Sequence, residues 1–274
     1  MTLMHTAFFG RRAFQLANDH LSLAIVPAFS GRVMELSVRG QNCFWLNEPL
    51  LKGEVEGDPT FDGWKNWGGY KTWLAPQSRW PNPDAQSDEM DNVEWEVVSE
   101  LDTEIELRGP IIPWGGVRLG RRLSLAAGEP KVRVRETISN ATTSPQMWAV
   151  WAVAQFPVPG WATYPPDGVR RTLVPPAQRF DGDRLRFVGD LKWKVGALTP
   201  SGWGEYRADS WQWTFRARFA SDIVLPHPDD CSLQTWSNSE PGYMELEWRG
   251  PLLTLAPRES WAFETEWEIR YPAD

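Results

Sequence analysis

Between Trp64 and Trp80 the chain sets four tryptophans, one tyrosine, two lysines, an arginine, an asparagine and a glutamine around the pair Gly68-Gly69. Indole faces bind apolar C–H surfaces, while amides and cations hydrogen-bond hydroxyls. Asn66, Lys71, Trp73, Gln77 and Arg79 therefore form a set suited to a sugar ring. Adjacent glycines permit positive φ or close backbone approach, so the run is expected to sit in a long loop that turns these side chains toward a common cavity. The competing reading is a loop stapled to its scaffold by its own hydrogen bonds, with two of the four indoles in the core.

Acid–base chemistry on such a ligand needs groups that exchange protons near neutral pH. Of the three histidines, His5 lies near the terminus and His20 opens a strand. His227 stands in the Pro-rigidified run Leu225-Pro226-His227-Pro228-Asp229-Asp230, where it is either a surface group or a proton donor reaching a cleft. Lys71 or Arg79 could replace it as an electrophilic clamp. Cys43 and Cys231 lie outside any metal-ligand spacing, and only a single long-range disulfide stays open. Asp229-Asp230 is a weak cation motif that reads more simply as a solvated turn. Neither a cofactor nor a metal is expected, because no phosphate-loop, HExxH or GxSxG pattern occurs.

The elements that must position these groups are strands. Trp261, Phe263, Thr265, Trp267 and Ile269 alternate with Ala262, Glu264, Glu266 and Glu268, and Trp211 to Phe219 alternates in the same way. Further strands are expected around Leu21–Val26, Arg32–Val38, Val93–Val98, Thr103–Leu107, Lys131–Ile138, Met147–Phe156, Ser232–Trp236 and Tyr243–Trp248. No run of ten or more residues carries a helical stripe. The expected fold is all-β with very low helix content: antiparallel sheets packed face to face as one domain over residues 1–274. Asn47–Asp91 and Val158–Asp190 are the long loops.

A net charge of −8 with no basic cluster disfavours nucleic acid. The absence of a long apolar run disfavours a membrane partner, so a soluble, cytoplasmic protein is expected. The oligomeric state is not legible.

Three segments together resemble the galactose mutarotase-like (aldose 1-epimerase-like) superfamily, and more narrowly its DUF4380 branch. The first is Pro27 to Trp45, where a Gly31-Arg32 pair begins a strand. Gly68-Gly69-Tyr70-Lys71-Thr72-Trp73-Leu74-Ala75-Pro76-Gln77 is the second and most specific. The third is Tyr243 to Pro251 with the turn Leu255-Ala256-Pro257-Arg258-Glu259, in which Arg258 stands where the family has glycine. The resemblance implies a β-supersandwich, a small-molecule carbohydrate partner, and general acid/base catalysis at the anomeric centre. The late-strand glutamate that is the family's base corresponds to Glu245 or Glu247. Both share one strand face, which is either the cleft or the solvent side. The family's histidine is missing from Met147–Phe156, where Trp151 or Gln155 stands near its place. That departure keeps two rivals open, a non-catalytic carbohydrate-binding module and a lyase or hydrolase on a related scaffold.

Overall fold

The computed structural model describes residues 1–57, 64–83, 87–174, 180–188, 193–237 and 242–271. Alternation of period two becomes strand along most of the chain. The first strands are β1 (Thr2–Phe8), β2 (Arg11–Ala17), β3 (Leu21–Val26), β4 (Arg32–Val38), β5 (Gln41–Asn42), β6 (Tyr70–Ala75) and β7 (Glu96–Leu101). Then come β8 (Glu104–Ile112), β9 (Val117–Leu125), β10 (Lys131–Asn140), β11 (Gln146–Pro157), β12 (Gly160–Thr163), β13 (Val169–Val174), β14 (Phe180–Asp181) and β15 (Arg184–Phe187). The last are β16 (Trp193–Leu198), β17 (Trp203–Ala208), β18 (Thr214–Phe219), β19 (Leu233–Ser237), β20 (Tyr243–Arg249), β21 (Leu253–Leu255) and β22 (Ser260–Arg270). Two single-turn helices, α1 (Glu48–Leu51) and α2 (Asp88–Asp91), interrupt them. Among the described residues no helix is long and apolar enough to cross a membrane.

Two antiparallel sheets result. One runs β1-β2-β3-β4-β6-β11-β20-β19-β16-β13, with β5 on β4 and β21 on β11; the other runs β14-β15-β12-β17-β18-β22-β10-β9-β8-β7. Between them lies an aromatic core. Tyr70 stacks on Trp248 at 5.7 Å and meets Trp267 edge-on at 4.6 Å, and Phe156 stacks on Tyr206 at 5.0 Å. A buried polar node ties the sheets together. Glu136 Oε1 accepts from Tyr70 Oη and from Arg121 Nε, each at 2.8 Å, while Arg121 Nη2 donates to Thr72 Oγ1. The outer face of the second sheet is solvated: Glu264 pairs with Arg135 at 2.8 Å and Glu266 with Lys131 at 3.7 Å, as their alternation with apolar residues implies. No disulfide joins Cys43 and Cys231, and both are buried.

The two expected long loops are not loops throughout. Asn47–Asp91 contains β6, a central strand of the first sheet, and Val158–Asp190 contains β12, β13, β14 and β15. In β6 all six residues are buried, because one face meets the core and the other a covered polar surface. A strand buried on both sides with Lys71 and Thr72 in it shows no apolar/polar alternation, so it reads as loop. Asp84, at the end of the tryptophan run, lies outside the described residues. All four tryptophans of that run are buried, not two.

Gly68 and Gly69 have a specific reason to be glycine. They adopt φ values of 92° and 74°, and a Cβ would come within 2.3 Å of Trp45 O at Gly68 and 2.5 Å of Val33 O at Gly69. That closeness lets Gly69 N–H donate to Trp45 O at 2.9 Å and Gly69 O accept from Gln155 N–H at 3.0 Å, which feeds β6 into the sheet beside β11. Gly69→Ala is expected to destabilise the protein by about 2–4 kcal/mol, combining a strained φ with a backbone clash. Urea unfolding of the variant and parent measures it; a loss of less than about 0.5 kcal/mol contradicts the constraint.

Candidate functional site

Antiparallel register puts cross-strand partners on one face of a sheet. On the face of the first sheet turned away from the core, Trp73, Trp151 and Arg249 form one row. Lys71, Val153, Glu247 and Gln234 form the next, and Gln155, Glu245, Trp236 and Lys194 the third. Tyr243 follows Glu245 on the same side, with Trp45 stacked on it at 4.4 Å. Thus β6, β11 and β20 bring Lys71, Trp73, Trp151, Gln155, Glu245 and Glu247 together on contiguous positions.

Glu245 is held by two partners. Gln155 Nε2 donates to its Oε1 at 2.7 Å, and Lys71 Nζ lies 3.6 Å from the same oxygen. The Lys71 ammonium stands over the rings of Trp73 and Trp64, 3.6 and 4.7 Å from their centroids, and it makes no hydrogen bond among the described residues. Burial pushes Lys71 down to about 8, with the carboxylates of Glu245 and Asp91 pulling it back up. Burial raises Glu245 above the ordinary carboxylate range, opposed first by Lys71. Both groups are displaced toward the pH range in which general acids and bases work.

Glu247 is tied differently. Its Oε2 accepts from Trp151 Nε1 at 2.7 Å and Lys194 Nζ at 3.1 Å, and Arg249 Nη2 lies 3.7 Å away. Arg249 also donates to Asp229 Oδ2 at 2.6 Å and packs its guanidinium over Trp151 at 4.2 Å. The Asp229-Asp230 run therefore supplies an ion-pair partner to the site strand. Among the described residues no group of three or more His, Cys, Asp or Glu side chains is placed to hold a metal ion.

A clamp fixes the aromatic walls. Asp91, at the end of α2, receives Arg32 Nη2 in a short ion pair, Trp73 Nε1 at 3.0 Å on the same Oδ1 and Trp64 Nε1 at 3.1 Å on Oδ2. Arg32 Nη1 also donates to Gly68 O at 3.1 Å, which joins the clamp to the glycine pair.

Several expected residues lie elsewhere. Gln77 Nε2 donates to Pro83 O at 2.8 Å and closes its own turn, while Arg79 Nη1 donates to Met147 O at 2.9 Å and staples that turn to β11. The His227 imidazole meets Asp222 O at 3.1 Å, and no hydrogen bond or ion pair joins it to Glu245 or Glu247 among the described residues. Burial lowers its pKa. Asn66 is buried, with its Oδ1 lacking a partner. Arg32, Asp91, Lys194 and Arg249 were not singled out from the sequence. Arg249 was within reach, since it continues the Glu245, Glu247 alternation by one step; Asp91 carries no local signal at all.

The polar floor is not fully satisfied. Lys71 Nζ, Gln155 Oε1, Glu247 Oε1 and Arg249 Nε are buried without hydrogen-bond partners among the described residues, a concentration unusual for a packed interior. Lys194 and Trp236 are its half-buried members, which places the approach from solvent at the β19–β16 side. The partly exposed indoles of Trp45 and Trp236 flank Tyr243 and offer flat surfaces beside Glu245.

Solved structures share this architecture. A galactose mutarotase-like protein from Lactobacillus casei is similar at 13% identity and a TM-score of 0.68, over 94% of this chain and 100% of that one. The fold is the galactose mutarotase-like sandwich. A galactose mutarotase related enzyme from Lactobacillus acidophilus is similar at 10% identity and a TM-score of 0.64, over 96% and 98% of the two chains. For a galactose mutarotase-like protein from Clostridium acetobutylicum the figures are 11%, 0.61, and 98% of each chain. No protein-family model and no curated protein matches the chain.

The Asp91 clamp makes its own prediction. Asp91→Ala leaves Arg32 buried without its counter-charge and two indole N–H groups unpaired, so a loss of about 3–5 kcal/mol is expected. Denaturant unfolding measures it, and Trp fluorescence should red-shift as Trp64 and Trp73 loosen. An unchanged midpoint would remove the clamp from the account.

Proposed function

We propose that the protein binds an aldose on the covered polar face of the first sheet and accelerates exchange between its anomers. Glu245 takes the proton from the anomeric hydroxyl, and the Lys71 ammonium protonates the ring oxygen. The observation that carries this reading is the pair itself: an ammonium and a carboxylate 3.6 Å apart, both buried and each shifted toward neutral pH. Lys71 supplies the acid that the missing family histidine would otherwise provide, which answers the main departure from the resemblance. Gln155 orients Glu245. Trp236 and Trp45 receive the apolar face of the ring, and the unpartnered Gln155 Oε1 and Glu247 Oε1 accept from its hydroxyls. The finer assignment to the DUF4380 branch rests on the run Gly68 to Gln77 alone.

A second reading, recognition without turnover, is favoured by the close wrapping of Lys71 between two indoles. The two readings separate on Glu245→Gln, because an amide can still hydrogen-bond a hydroxyl but cannot take its proton.

Anomer exchange is measured by NMR on a panel of aldoses. Glu245→Gln is expected to lower the rate about a hundred- to ten-thousandfold with binding retained. The pH profile should be bell-shaped. The acid must be protonated, so the rate falls as pH rises through about 8, where Lys71 loses its proton; it falls again below the raised Glu245 pKa as the base is protonated. No acceleration over buffer on any sugar, with saturable binding intact, transfers the assignment to the second reading. Loss of both overturns the carbohydrate site.

A further inference from the structure

Lys71 has a second chemical capacity. It is an amine enclosed by the faces of Trp64 and Trp73, without a hydrogen-bond partner, and adjacent to a carboxyl group that Gln155 orients. A desolvated lysine with a neighbouring proton carrier is the arrangement that adds amines to carbonyls. Anomer exchange generates such a carbonyl at the site, because ring opening leaves an aldehyde at C1.

We infer that Lys71 captures the open-chain aldose as a protonated imine, with Glu245 carrying the protons. This rests on the sugar-binding reading above. The sequence of bonds balances without any oxidant or reductant. Ring opening moves one proton from Lys71 to the ring oxygen and one from the anomeric hydroxyl to Glu245, leaving a free amine, a carboxylic acid and an aldehyde. The nitrogen lone pair forms the N–C1 bond as the carbonyl π pair moves to oxygen, and a proton passes from nitrogen to that oxygen to give a neutral carbinolamine. Glu245 then protonates the carbinolamine hydroxyl, which leaves as water. The nitrogen lone pair closes the C=N bond and the carboxylate is restored. The three ammonium protons end as one on the hydroxyl formed from the ring oxygen, one on the iminium nitrogen and one in the water, whose other proton is the one Glu245 took from the anomeric hydroxyl.

The other five lysines are Lys52, Lys65, Lys131, Lys192 and Lys194. Lys52 and Lys131 are held up by exposed glutamates, the opposite direction from Lys71. Near pH 7.5 a lysine titrating at about 8 has a free-amine fraction on the order of a hundredfold larger than one at 10.4. Selective chemistry at one lysine is therefore measurable against five internal controls.

The intact protein is given D-glyceraldehyde, D-glucose or D-galactose briefly with cyanoborohydride, which reduces an imine to a stable secondary amine. Peptide mass mapping then locates the gain, equal to the sugar less one oxygen atom. Lys71 is expected to acquire it about tenfold faster than any other lysine, the enclosure offsetting part of its amine advantage. Lys71→Arg should abolish that label, and Glu245→Gln, which keeps the indole cage, should slow it. Labelling of Lys71 no faster than the surface lysines overturns the inference. Anomer exchange measured on the same samples keeps the two questions apart. Acceleration without Lys71 labelling refutes covalent capture and leaves the sugar-binding reading standing, whereas absence of exchange, binding and labelling refutes both.

Discussion

Charge buried on a sheet face must be balanced almost group for group, and the first sheet is organised around that requirement. Four cations, Arg32, Lys71, Lys194 and Arg249, meet three buried carboxylates, Asp91, Glu245 and Glu247, and the exposed Asp229 at the rim. An uncompensated ion there would cost several kcal/mol, more than most single contacts can offset. Such a network is poor stabilisation compared with an apolar core of the same volume. It occupies one face, while the opposite face of the same strands is filled with Tyr70, Leu74, Phe156 and Trp248, and the chemistry proposed above would give it a reason.

The fold makes this possible through its asymmetry. In an ordinary two-sheet sandwich each sheet has one core face and one wet face. Here β6, β11 and β20 lie in the middle of the larger sheet, where the second face is roofed by Trp64, the Asp91 helix and neighbouring turns. The glycine pair sets β6 against β11 by backbone contact, and Arg32 fastens the same peptide to Asp91. The position of Lys71 is thus fixed by backbone hydrogen bonds, and its surroundings by three donors converging on one aspartate.

This arrangement explains what could be read from the chain. Strands with one dry and one wet face, such as β22, alternate cleanly, and Leu21–Val26 and Arg32–Val38 coincide with their expected limits. The antiparallel sandwich was legible on the same grounds, whereas Glu245, Glu247, Trp151 and Gln155 were picked out by the family resemblance and Lys71 was expected in a loop. The strand β6 was not, because Tyr70, Thr72 and Leu74 face the core while Lys71 and Trp73 face the polar roof, so neither set looks apolar or solvated. Gln77 and Arg79 looked like ligands for the complementary reason: polar side chains in a turn are equally suited to closing the turn on itself, as Gln77 does, or to fastening it to a neighbouring strand, as Arg79 does to β11. Asp91 was invisible because its importance comes from three partners distant in sequence.

The two carboxylates of β20 show how environment divides labour between identical side chains. Glu247 is surrounded by Trp151, Lys194 and Arg249, donors that hold one of its oxygens. Glu245 has one neutral donor and one ammonium that is itself poorly solvated, and burial raises its pKa above the ordinary carboxylate range. An upward shift of that kind suits a group proposed to give and take a proton in one cycle. Glu247 instead supplies a fixed negative charge that keeps Lys194 and Arg249 from neutralising Glu245. In the proposed anomer exchange the acid–base role therefore goes to the residue with the weaker partners, and the more strongly bonded carboxylate serves as its counterweight.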